Sequence, residues 1–177
     1  MNELDEITIK SAAKGDKKSF KKVYDHYSSF VWKVIFRTVK GDRDAAEKIL
    51  QDVFIKVYKK LTSFKFSASF STWLFRITYN ETLLYLKKKK KQNERLVPFD
   101  DSFGKEEKNV LYENKELVTM ILNKLSTNER FLLVSREVND IPFEDLAQIT
   151  GQTSGALRTQ LHRIKDTIKK HFKTDDS

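Results

Sequence analysis

At 177 residues the chain is one large domain or two small ones, and 39% hydrophobic with 12% aromatic residues is too apolar for a disordered polymer. A formal net charge of +9 points to an anionic partner, nucleic acid first. The absence of cysteine excludes disulfides, zinc ribbons and thiol catalysis. With only 5 Gly and 2 Pro, turns are few and the expected fold is all-α. No apolar run reaches the roughly 18 residues of a membrane span. Acids at Glu3, Asp5 and Glu6 stand where a secretory signal carries bases, so a cytoplasmic protein is expected.

Residues 4–14 read as a short helix ending at Gly15, and Asp16 is placed to cap a second. Phe20, Val23, Tyr24, Tyr27, Val31, Val34 and Ile35 then recur at helical steps and make one apolar face. Gly41 interrupts that face, and Asp42 or Asp44 can cap a third helix. There Ala46, Ile49, Val53, Phe54, Val57 and Leu61 line one side, with Gln51, Asp52, Lys56 and Lys59 largely on the other. A loop, Ser63–Phe70, precedes a fourth helix from about Ser71 to Lys89.

The stretch Phe64–Lys91 mixes exposed-looking aromatics with small polar residues and closes in an unbroken lysine run. Aromatic faces stack on unpaired bases and lysines attract phosphates, a combination suited to single-stranded nucleic acid. A packed helix through Trp73 and Ile77 with a solvated lysine tail is the plainer reading of the same residues. Periodicity is lost over 92–112, where Pro98, Gly104 and several acids mark a linker, although Val97, Phe99 and Phe103 are apolar enough to dock on something. The expected domains are therefore 1–91 and 113–173, joined by 92–112.

Helical pattern returns with Leu117, Met120, Ile121 and Leu125, and Ser126 with Glu129 forms a capping box before Phe131, Leu132, Val134 and Val138. Pro142 fits the start of a short helix that carries Leu146, Ala147 and Ile149. Gly151 then makes a turn, and Thr153 or Ser154 caps a longer helix with Leu157, Leu161, Ile164 and Ile168 inward. This spacing reads as a helix-turn-helix, with Ala147, Gly151 and Gly155 expected to permit close helix approach. Ser154, Arg158, Thr159, Gln160, His162 and Arg163 lie outside the apolar face, and Arg and Gln can bond bidentately to guanine and adenine edges.

Three elements together carry a family resemblance. They are Ile49-Leu50-Gln51-Asp52-Val53-Phe54, then Phe70-Ser71-Thr72-Trp73-Leu74-Phe75-Arg76-Ile77 with Asn80, and the helix pair over Ile141–Lys165. The segment Asp44–Lys91 resembles the second region of bacterial RNA polymerase sigma factors, most closely the extracytoplasmic-function class, and the helix pair resembles their fourth region. The opening Ala12–Tyr27 is similar to that family's start. Departures stand at Lys48, Leu84, Ala156 and Gln160, where the family usually has an acid, Asp, Thr and often Arg; they bear on base preference and polymerase contact.

The resemblance implies four tasks. Ile49, Gln51, Asp52 and Lys56 would meet core RNA polymerase. Phe64, Lys65, Phe66, Ser67 and Asn80 would hold a base extruded from the −10 element of promoter DNA, with Arg76, Lys87 and Lys88 on the phosphates. Ser154, Arg158, Thr159, Gln160, His162 and Arg163 would read the −35 duplex. The linker would thread along the polymerase, and an anti-sigma factor is a further implied partner.

An enzyme is not expected. His26, His162 and His171 are far apart, and neither a Gly-rich phosphate loop nor metal-ligand spacing occurs, so no catalytic residue, cofactor or metal is assigned. Other classes are a stand-alone helix-turn-helix regulator with a sensory or dimerising N-terminal bundle, and a basic RNA-binding structural protein.

Overall fold

The computed structural model describes residues 3–95, 120 and 122–173, and the elements among them are helical. Most of the helices begin where a short polar side chain takes up a first-turn amide. The Asp5 carboxylate accepts the Thr8 amide at 2.7 Å and opens α1 (Glu6–Ala13). Gly15, at φ +93°, turns the chain, and Asp16 accepts the Ser19 amide at 3.0 Å to open α2 (Lys17–Thr38). Of the two aspartates that could cap α3 (Arg43–Lys60), Asp42 does so, accepting from the Ala45 amide at 2.9 Å. A 3₁₀ turn at Leu61–Ser63 leads to the loop, and the Ser69 hydroxyl accepts the Thr72 amide at the head of α4 (Phe70–Arg95).

Apolar periodicity dictates how these helices pack. α1 lies on α2, α2 on α3 and α3 on α4, around a core that includes Tyr27, Ile35, Ile49, Val53, Leu74 and Phe75. The buried Tyr27 hydroxyl accepts the Leu4 amide at 3.0 Å and donates to Glu3 at 3.2 Å, which fastens the N-terminal segment onto the bundle. Burial pushes that phenol well above its ordinary value, so the hydroxyl stays a donor. α4 continues as helix through Arg95, past the boundary expected at 92. Val97, Phe99, Phe103 and the rest of the expected linker fall outside the described residues.

The capping box at Ser126 and Glu129 is formed and opens α5 (Thr127–Glu137). Pro142 sits one residue before α6 (Phe143–Thr150), which stops at Gly151 with φ +76°. The Thr153 hydroxyl accepts the Ala156 amide at 3.2 Å as α7 (Ser154–Lys173) begins. Phe131, Leu132, Leu146, Ile149, Leu157, Leu161 and Ile164 are buried among these helices and continue the core of the N-terminal bundle. Gly155 serves no close approach, because a Cβ there would meet nothing within 4 Å; Gly151 is the glycine the turn requires.

The two helical groups pack on each other, α5 against α2 and α6 against α4. At their junction Arg130 is only 5% exposed. Its guanidinium donates to the Thr38 carbonyl at 2.7 Å, one of the carbonyls α2 leaves unpaired at its C-terminus. It also donates to the carbonyls of Leu122, at 3.2 Å, and Leu125. Asn139 donates to the Phe30 carbonyl at 3.2 Å, and the Tyr79 and Phe131 rings lie 4.8 Å apart.

Candidate functional site

The loop between the 3₁₀ turn and α4 is shaped by its own aromatics. Phe70 is buried, and Phe64 sits 5.5 Å from it, 4.6 Å from Phe66 and 5.2 Å from Trp73, ring centre to ring centre. The Lys10 ammonium lies 4.9 Å from the Phe66 ring centre. Phe64 and Phe66 are thus half-buried in one cluster, while Lys65 and Ser67 are exposed. Trp73 joins the same cluster and takes no exposed position on the stripe described next. Phe66 holds φ +56°, a left-handed conformation unusual for a bulky residue and one that persists only where surrounding contacts impose it.

On α4, Leu74, Phe75, Thr78, Tyr79 and Thr82 are buried, whereas Arg76, Asn80, Leu84, Lys87 and Lys88 are exposed. Steps of three and four place the exposed set along one face beside the loop, with cations at its far end. The lysine run is not uniformly solvated. Lys89 turns back to Asp42 at 2.7 Å, joining α4 to the cap of α3. Burial alone raises the Asp42 carboxyl, but the Lys89 ammonium and the Ala45 amide together hold it below its usual value.

The outer side of α3 carries an open groove of about 870 Å³ shared with α2, lined by Phe20, Tyr24, Lys48, Gln51, Ile55 and Tyr58 among others. Tyr24, Ile55 and Tyr58 are 40%, 49% and 48% exposed, large apolar surfaces side by side. Of the residues expected to meet a protein partner, Gln51 lines this groove and Asp52 is exposed outside it. Ile49 is fully buried in the core, so it supports the surface without belonging to it. Lys56 is drawn off toward α4 by an ion pair with Glu81. Sequence reasoning missed Ile55 and Tyr58; the available signal was that both are apolar yet out of register with Ile49, Val53 and Val57.

In the helix-turn-helix, Arg158, Thr159, His162 and Arg163 are exposed on α7, with Ser154 and Gln160 half-buried. The Ser154 hydroxyl donates to the Phe143 carbonyl at 3.4 Å and so faces α6, not outward. Arg158 donates to Glu144 at 2.7 Å and lies 5.1 Å from the Phe143 ring centre, with Arg136 at 5.3 Å from the same ring. Glu144 is held below the usual carboxylate range first by its own backbone amide and then by Arg158. His162 Nδ1 stands 2.9 Å from Asp166, and Lys165 pairs with Glu137 at 2.9 Å. If α7 enters duplex DNA, as the resemblance implies, Arg158→Ala should weaken discrimination among duplex sequences by about 1–3 kcal/mol, checked by competition between matched and altered duplexes.

Among the described residues, none of the helices is long and apolar enough to cross a membrane. The sigma-70 region 2 family model matches residues 23–92, from within α2 to within α4, and the sigma-70 region 4 model matches 115–168, which takes in α6 and most of α7. The ECF RNA polymerase sigma factor SigW of Bacillus subtilis is 26% identical over 93% of this chain and 95% of its own length. The ECF RNA polymerase sigma-E factor of Escherichia coli K12 is 26% identical over 93% of this chain and 92% of its own. The sigma factor RpoE of Bartonella quintana, solved with the anti-sigma factor NepR, has a similar fold, with a TM-score of 0.74 and 22% identity over 89% of this chain and 99% of that one. With both regions matched in order and relatives aligned nearly end to end, the chain belongs to the extracytoplasmic-function class of RNA polymerase sigma factors.

Proposed function

We propose that this protein joins core RNA polymerase and directs it to a set of promoters, reading the −35 duplex with α7 and capturing the melted −10 strand with α4 and its preceding loop. The observation that carries this reading is the exposed stripe Arg76, Asn80, Lys87 and Lys88 on α4, in the same chain as a helix-turn-helix whose Arg158, Thr159 and Arg163 are exposed. Residues 1–91 form the polymerase and −10 unit, 92–112 the tether and 113–173 the −35 unit. The polymerase docks on the groove around Gln51, Ile55 and Tyr58. The chemistry belongs to the polymerase, and this chain supplies recognition in the cytoplasm. An anti-sigma protein is the expected regulator, as accompanies the Bartonella relative.

The packed arrangement must open for this task. Elements about 25 base pairs apart at about 3.4 Å each lie about 85 Å apart, whereas a compact chain of this length has a radius of gyration of about 16 Å. A stand-alone regulator is the less favoured reading, because it gives no role to the α4 stripe or to the groove.

Run-off transcription with purified core polymerase and mapped start sites tests the proposal; a chain that neither binds the polymerase nor selects starts rules it out. Asn80→Ala should slow promoter opening by about tenfold while duplex binding changes little, measured by permanganate reactivity against filter binding. Replacing Lys87 and Lys88 together with alanine should lower the slope of log affinity against log salt by about one to two.

A further inference from the structure

We propose that Glu144 is a specificity-determining positioning residue, which holds the Arg158 guanidinium on the Phe143 ring so that it meets a base edge and is not spent on a phosphate. The inference rests on the reading that α7 enters duplex DNA.

Arg158 is fixed from two directions, by the Glu144 carboxylate at 2.7 Å and by the ring at 5.1 Å. The platform beneath it is itself tied down. The Phe143 carbonyl accepts from the Ser154 hydroxyl at 3.4 Å, and Arg136 lies 5.3 Å from the ring centre. An exposed ion pair of this kind adds little to stability. An unrestrained arginine beside a polyanion can turn to the nearest phosphate, which carries no sequence information. Here that turn strands a carboxylate facing DNA without its partner, a built-in penalty on unspecific registers. A base-directed pose keeps the pair: a guanidinium has five N–H donors, so one bond to Glu144 leaves enough for guanine O6 and N7. Restraining the side chain beforehand also reduces the rotamer entropy lost on contact.

The test uses full-length protein assembled with core polymerase and a duplex pool randomised in the upstream segment, the winning sequence then compared with a scrambled duplex. Glu144→Gln keeps the shape and removes the charge. Affinity for the selected duplex should fall about threefold and affinity for the scrambled one should rise about threefold, a loss of about tenfold in their ratio. In an Arg158→Ala background the same Glu144→Gln change should leave the ratio within about twofold, because the two residues act as one unit. Equal changes on both duplexes, or an undiminished loss without Arg158, overturn the inference. Failure of the wild-type protein to enrich any upstream sequence overturns the duplex-reading proposal itself, whereas enrichment with a Glu144→Gln ratio like wild type overturns this inference alone.

Discussion

Arg130→Met should destabilise the C-terminal helices by about 2–4 kcal/mol and loosen their hold on the N-terminal bundle. The guanidinium satisfies carbonyls of Leu122, Leu125 and Thr38, and methionine fills similar volume while donating to none of them. Burial lowers the Arg130 pKa, but an arginine remains charged, so nothing short of replacement removes these bonds. Chemical denaturation followed by circular dichroism measures the first effect, and small-angle scattering measures the second as a larger radius of gyration. Tyr79→Ala separates the two, since it removes the ring contact to Phe131 from the other side of the junction. It should open the molecule without unfolding α5 to α7. An Arg130→Met protein as compact and as stable as wild type would show that the junction does not depend on the guanidinium bonds.

Ile55→Asp should weaken association with core polymerase by about thirtyfold or more while changing folding stability by less than about 0.5 kcal/mol. Ile55 is half exposed in the groove and beside Tyr58, so a carboxylate there meets water in the free protein and would be desolvated if a partner docks on the groove as proposed. Ile49→Asp provides the contrast. That side chain has no exposed surface, and a charge placed there unfolds the bundle instead of detaching a partner. Fluorescence titration against core polymerase, paired with thermal melts, distinguishes the two positions. Undiminished affinity of the Ile55→Asp protein would place the polymerase contact elsewhere on the surface.

The exposed positions that were legible in advance share a property: their direction is set by local helix geometry. Arg76, Asn80, Lys87 and Lys88 are exposed together because their spacing allows no other outcome once Leu74 and Phe75 are buried. Arg158, Thr159 and Arg163 follow from Leu157, Leu161 and Ile164 in the same way. What spacing does not foretell is where side chains meet across the fold. Phe64 and Phe66 looked available to bases, but Phe70 and Trp73 draw them into a cluster. Lys56 looked like part of a docking face, and Glu81, 25 positions away, claims it.

By itself the sequence determined which stripe of each helix is buried and, to within a residue or two, where most of the helices begin. Asp5, Asp16, Asp42, the Ser126–Glu129 box and Gly151 act on backbone groups within four residues, so no distant contact is needed to place them. Only the tertiary structure decided that Lys89 leaves the lysine run for Asp42, 47 positions back, and that Arg130 reaches Thr38 across 92. It also decided that Tyr24 and Phe20 of α2 join Ile55 and Tyr58 of α3 in one groove. Such pairings depend on how helices lie against each other, and a periodic pattern fixes the face a helix buries but not the neighbour that covers it.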